Sequence, residues 1–310
     1  MKIVGIGNAI IDVICKIDYE YLNDHNLTKG TMKLVDKTEF NNLIANLKIE
    51  ETISGGSVAN SIVGLSQLGN QVGFIGKVNN DDFGRKYELG LENENVKFLF
   101  AKKKESIPTG TCLILLTPDS ERTMCTYLGI AGNINENDID EKSLKESELT
   151  FLEGYLWDKG NPKSAFIKAI KNSNKIAMTL SDVFCVERHK ADFLDLVKNK
   201  LDIVFANENE MTNLINADNF DEVVNFTKNM NKISVITRGD KGAMVISNKK
   251  VFEIPAKKNL NIIDLTGAGD LFASGFLHGY LNNFSISNSL EKGVEMSSKI
   301  IEILGARLRT

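Results

Sequence analysis

From residue 149 onward, short apolar runs alternate with longer stretches of helical spacing, and no other feature restricts the fold as much. Thr150-Phe151-Leu152 reads as a strand and Lys163 to Ile170 as a helix. Lys175 to Thr179, Asp202 to Phe205 and Ile233 to Ile236 read as strands, separated by helices over Arg188 to Val197 and Glu222 to Lys228. Two further helices, near Ala268 to Leu281 and Ser287 to Ile303, close the chain. Such alternation predicts an α/β fold with a mostly parallel sheet and helices on both faces, because parallel neighbours need a crossover between them. The N-terminal part adds the strand Ile3 to Ile6, a helix opened by Ser54-Gly55-Gly56-Ser57, and the strand Val72 to Ile75.

Other strand-like pieces stand outside the alternation. Asp12 to Ile17 and Thr31 to Val35 are strand-like, and Thr111 to Leu116 and Arg122 to Tyr127, joined by a Pro118-Asp119-Ser120 turn, read as paired antiparallel strands; together they suggest a separate small sheet. The expected organisation is one α/β domain over residues 1–310, with a discontinuous β lid from about 12–36 and 96–128.

At 310 residues, 42% hydrophobic and 25% charged, the composition is that of an ordinary globular chain. A net charge of −4 argues against a nucleic-acid surface. No apolar run is long enough to span a bilayer, and the N-terminus turns glycine-rich too soon for a secretory signal. Cys15, Cys112, Cys125 and Cys185 have neither metal-ligand nor redox spacing, and His25, His189 and His278 do not cluster. Reduced, mostly buried thiols and a cytoplasmic location are expected.

Chemistry is concentrated where strands end. In open parallel sheets, ligands bind beyond the carboxyl ends of strands. Asp264-Leu265-Thr266-Gly267-Ala268-Gly269-Asp270 runs into an apolar helical pattern, so its backbone N–H groups form an anion site. Asp270 is out of place beside a phosphate unless it takes a proton from a hydroxyl that attacks that phosphate. By the residues alone it is also a plain helix cap. Asn8 and Asp12 follow the first strand, Gly55, Gly56, Ser57 and Asn60 begin a helix, Asn207 and Glu210 follow the strand ending at Phe205, and Thr237, Gly239 and Gly242 follow the strand ending at Ile236. Asn207 and Glu210 serve equally well as helix-start residues, Thr237 to Gly242 as a hairpin turn, Arg122 as an exposed strand charge and Asp12 as a solvated one. Gly5-x-Gly7 is no dinucleotide fingerprint, because Ile10 stands where the third glycine belongs.

Taken together these segments resemble the ribokinase-like (PfkB) sugar kinases. Gly55-Gly56-Ser57-x-x-Asn60 and Asp264-x-Thr266-Gly267-Ala268-Gly269-Asp270 are similar to the two halves of that family's signature. Asn207-x-x-Glu210 resembles its magnesium and phosphate motif, and Thr237-x-Gly239-x-x-Gly242 its nucleotide loop. Leu265 departs from a frequent Thr. Gly7 to Asp12, Asp119 to Thr123, Leu152 to Asp158 and Ser181 to Val186 look most like the bacterial adenosine kinase-like branch.

The resemblance implies an ATP- and Mg²⁺-dependent kinase acting on the 5′-hydroxyl of adenosine or a related nucleoside, a purine-salvage activity. The rival readings are a kinase of a free sugar such as ribose or fructose, and a non-catalytic nucleoside- or sugar-binding protein on the same fold. It implies Asp270 as general base, with Gly267, Ala268, Gly269 and Arg122 stabilising the transferred phosphate. Asn8, Asp12, Gly55, Gly56, Ser57 and Asn60 would hold the acceptor. Thr237, Gly239, Gly242 and Thr266 would hold the nucleotide, and Asn207 and Glu210 would reach Mg²⁺ through water. A monovalent cation such as K⁺ near Asp264, Thr266 and Gly305 is common in the family. No nucleic-acid or membrane partner is expected, and the chain would work as a monomer or homodimer.

Overall fold

Nine strands lie side by side in the order Lys250–Ile254, Ala243–Ser247, Ile233–Thr237, Ile203–Asn207, Ile176–Thr179, Leu149–Glu153, Ile3–Ile6, Val72–Ile75 and Lys97–Phe98 in the computed structural model, which describes residues 1–100, 102–119, 121–157 and 162–308. Seven of them pair in parallel, and the first two listed in that order run antiparallel at one edge. Ser120 and Asp158, which fall within two of the segments read above, lie outside the described residues.

Successive side chains of each strand point to opposite faces, and the sheet therefore separates two apolar layers. Ile3, Phe151, Ile203, Phe205 and Val235 pack into one layer, against the helices Ser57–Gln67 and Ala268–Leu281. Val4, Ile6, Leu152, Val204 and Ile236 pack into the other, against the helices Lys163–Asn172, Val183–Asn199, Glu208–Ile215 and Phe220–Asn229. Ser57–Gln67 and Ala268–Leu281 touch directly, with Ser274 Oγ donating to the Ser61 carbonyl at 2.8 Å. That contact holds the start of one helix beside the start of the other.

A second sheet has the order Met32–Leu34, Arg122–Tyr127, Gly110–Leu116, Ile10–Lys16 and Ile49–Ser54. Four of these strands correspond to the segments read outside the alternation. Ile49–Ser54 was not among them: Glu50 and Glu51 depress strand propensity, and a charged, exposed outer strand is a common way to protect a sheet edge. Lys97–Phe98, from the stretch read as part of the small sheet, pairs instead with Val72–Ile75 at the edge of the large one. Among the described residues no helix is long and apolar enough to cross a membrane. The four cysteines are buried thiols.

Candidate active site

The floor of the site is set by a glutamate that the sequence pattern did not flag. Glu153 ends a fully buried strand. Its Oε1 accepts from the Asn8 backbone N–H at 3.3 Å and from Asn8 Nδ2 at 2.9 Å, while Oε2 accepts from the Val58 N–H at 2.9 Å. It ties the end of the first strand to the start of the Ser57–Gln67 helix, and burial pushes its carboxyl up to about 7. Asn8, expected to hold the acceptor, is thus committed to Glu153, and its buried Oδ1 has no partner among the described residues. The one available signal was a carboxylate closing an otherwise apolar strand. Gly56 caps the helix at φ 102°, where a Cβ would lie 2.2 Å from the Asn8 carbonyl oxygen. Gly55 lies under the Asp12 carboxylate, whose oxygens would be 2.5 Å from a Cβ there.

Two cavities of about 360 Å³ each open above this floor, a size suited to small ligands. Ser57, Asn207, Glu210, Thr237, Gly267, Ala268, Gly269 and Asp270 line the first. Asp12, Asn60, Arg122, Thr266 and Arg307 line the second, with a wall of Ile11, Ile14, Ile53, Ile114, Leu304 and Leu308. They meet at a hydrogen bond, 3.0 Å long, from Asn60 Nδ2 to Asp270 Oδ2. Ser57 Oγ donates to Asp270 Oδ1 at 2.6 Å. Burial raises the Asp270 carboxyl to about 6 against the pull of these two donors and of Arg307. An acid poised near neutral pH is suited to accept a proton. Burial likewise raises Asp12 to about 7, opposed by Arg307 and Arg122.

The Ala268–Leu281 helix starts at Gly267, and its first turn lines the first cavity. The first N–H groups of a helix have no partner within it. Here the Ala268 N–H turns back to the Leu265 carbonyl at 3.2 Å. The expected trio of anion donors is therefore narrowed to its glycine members. Thr266, expected beside the nucleotide, lines the second cavity instead.

Asn207 and Glu210 are helix-start residues. They form a reciprocal capping box, with Asn207 Oδ1 accepting from the Glu210 N–H at 2.8 Å and Glu210 Oε2 accepting from the Asn207 N–H at 3.1 Å. They also line the first cavity, and burial pushes Glu210 up to about 7. Thr237 to Gly242 is the connection between antiparallel strands, the hairpin turn that its sequence also allowed. Gly239 and Gly242 take φ values of 59° and 94° in that turn. Arg238 packs over the Phe220 ring at 4.0 Å and binds Glu208 at 2.8 Å, fixing the turn; Thr237 lines the first cavity, whereas Gly239 and Gly242, expected to hold the nucleotide, are not among its lining residues.

The family model for pfkB family carbohydrate kinases matches residues 27–309. This chain belongs to the pfkB family. Two solved structures are similar over the whole chain at 32% identity and a TM-score of 0.92. One is described as adenosine kinase from Sinorhizobium meliloti, with 96% of that chain covered, and the other as a probable sugar kinase from Rhizobium etli, with 95% covered. A curated relative from Clostridium botulinum, named 5-dehydro-2-deoxygluconokinase, is 28% identical over 85% of this chain and 82% of its own.

Membership in the pfkB family implies ATP, typically with Mg²⁺. Among the described residues no three His, Cys, Asp or Glu side chains group to cage a metal. Mg²⁺ keeps several waters and is held largely by substrate phosphates. Glu210 retains lone pairs toward the cavity beyond those taken by Asn207, so it and Asn207 fit an outer-sphere role. The K⁺ common in the pfkB family fits less well. Asp264 Oδ2 already accepts from Arg122 Nη2 at 2.8 Å and from the Gly305 N–H at 2.8 Å, and Oδ1 accepts from the Thr266 N–H at 3.0 Å. A carboxylate so supplied with donors, one of them a guanidinium, does not fit a monovalent cation.

Proposed function

We propose that this pfkB kinase transfers the γ-phosphate of ATP to the 5′-hydroxyl of adenosine or a closely related nucleoside. The observation that carries the reading is the paired cavities meeting at Asp270. One presents a helix start and the Asn207–Glu210 pair to a phosphate chain. The other presents Asp12 and an aliphatic wall to an acceptor that is part sugar, part apolar base. An ionised carboxylate is acceptor-only, so Asp12 suits two neighbouring ribose hydroxyls. Six aliphatic side chains offer a base an apolar wall, alongside the polar Glu51, Lys86, Asn93 and Glu94. The name of the Sinorhizobium relative supports the same choice.

Asp270 takes the proton of the attacking hydroxyl, held in line by Ser57 and Asn60. The N–H groups at the helix start stabilise charge on the transferring phosphoryl group. Mg²⁺, when bound near Asn207 and Glu210, would neutralise phosphate charge. Arg122 lies on the second sheet and rests on Asp264. We further propose that this sheet is a lid, and that its closure carries Arg122 from Asp264 to the phosphates and keeps water out.

A second reading has its own observation. Among the described residues, Arg122 Nε and Arg307 Nη2 have no partner and are buried beside the second cavity. Two such donors suit an acidic sugar, as the name of the Clostridium relative would suggest. An assay of ADP release with ATP and Mg²⁺ over adenosine, other nucleosides, ribose, fructose and keto-sugar acids decides between them. A kcat/KM for adenosine at least about 100-fold above every sugar supports the first reading. Preference for a sugar acid overturns it.

A further inference from the structure

Arg307 was not among the residues picked out by sequence, yet it stands at the centre of the site. It follows the Ile286–Ile300 helix in a segment anchored by the Gly305 N–H on Asp264. Its Nε donates to Asn60 Oδ1 at 2.9 Å, and Asn60 Nδ2 in turn donates to Asp270 Oδ2 at 3.0 Å. An amide has one accepting end and one donating end, while a guanidinium only donates and an ionised carboxylate only accepts. Arg307 therefore fixes which way Asn60 faces. If Asn60 flipped, its NH₂ would meet the guanidinium and its oxygen would meet the carboxylate, and both contacts would be repulsive.

The surroundings point the same way. Asp270 faces Asp12 from the second sheet, Glu153 from the central sheet, and Tyr155 beyond it, all of which oppose its ionisation or are opposed by it. Arg307 is the cation acting on both Asp12 and Asp270, and it also feels Tyr87 and Glu94. Arg122 acts on Asp12, while its own guanidinium rests on Asp264.

We propose that Arg307 is a positioning residue which, through Asn60, aims Asp270 at the acceptor hydroxyl and keeps it ionised as a base. The proposal rests on Asp270 being the base. The test is kcat/KM for the acceptor between pH 5.5 and 9.5 for the wild type, Arg307→Met, Arg307→Lys and Asp270→Asn, with a melting curve for each. An opposite charge at this range moves a carboxyl by about one pH unit or more. The acidic limb of Arg307→Met should therefore move up by about one unit, making its deficit about fivefold greater at pH 6 than at pH 9. Arg307→Lys keeps the charge, so its limb should stay with that of the wild type even if its activity falls through looser geometry. The proposal is overturned if Arg307→Met loses the same factor at every pH, if it loses nothing, or if Arg307→Lys shifts as far as Arg307→Met. Substantial turnover by Asp270→Asn would remove Asp270 as the base. An inactive Asp270→Asn beside an unmoved limb in Arg307→Met would remove only the role of Arg307.

Discussion

Replacing Asp270 by Asn should abolish turnover while leaving the unliganded protein at least as stable as before. Removal of a general base typically costs about 100- to 10,000-fold in rate, and among the described residues Asp270 is the carboxylate that Asn60 meets between the two cavities. The stability side follows from the titration. Asp270 titrates near 6 in the folded protein against an ordinary value of 3.8, which corresponds to at most about 3 kcal/mol against the ionised form. A carboxyl raised in this way stabilises the fold below its unfolded-state pKa, and that contribution is lost as pH rises through about 6. Asparagine carries no charge to bury. It does place an NH₂ where Ser57 Oγ or Asn60 Nδ2 now donates, a mismatch of about 1–2 kcal/mol. The balance at pH 8 is a gain of roughly 1–2 kcal/mol, or about 1.5–3 °C in melting temperature for a chain of 310 residues, and the gain should vanish at pH 5. Asp12, Glu153 and Glu210 are raised in the same direction, so the wild type itself should melt lower at pH 8 than at pH 6. The assays are ADP release at pH 8 and thermal melting at pH 5, 6 and 8. A kcat within about tenfold of wild type would refute the role of Asp270. A variant melting well below the wild type at pH 8 would refute the burial reasoning.

Asp12→Ala should raise the acceptor KM by about 10- to 150-fold, the worth of a charge-assisted hydrogen bond, with the KM for ATP unmoved; the opposite pattern would place Asp12 elsewhere. Adenosine should slow amide hydrogen exchange in Ile10–Lys16, Gly110–Leu116 and Arg122–Tyr127 more than ATP alone does, and Arg122→Ala should lower kcat more than it weakens adenosine binding. Unchanged exchange at saturating adenosine would make the second sheet a rigid platform rather than a lid. Gly56→Ala should misfold or melt far lower, because its Cβ would meet the Asn8 carbonyl oxygen at 2.2 Å in a left-handed backbone. Gly269→Ala has open space within 4 Å and should fold normally while losing ATP affinity; equal melting of the two variants would contradict this contrast.

The sequence by itself determined what depends on short stretches of chain. Strand–helix alternation predicts the parallel sheet because period and length are local properties, and the Ala268–Leu281 helix begins at the expected glycine loop. Helix starts are local too, so Ser57, Asn60, Asn207, Glu210 and Asp270 could be placed at cavity walls from their positions just after strands or glycines. Only the tertiary structure decided which polar groups face each other. Asn8 meets Glu153, 145 residues away, and Asn60 meets Arg307, 247 residues away. Arg122 rests on Asp264 in this structure, so its guanidinium occupies the carboxylate that a monovalent cation was expected to use. Nothing in the local spacing encodes these partners. Each depends on two segments of the chain reaching the same end of one sheet, where a buried charge must be met by a donor or left costly.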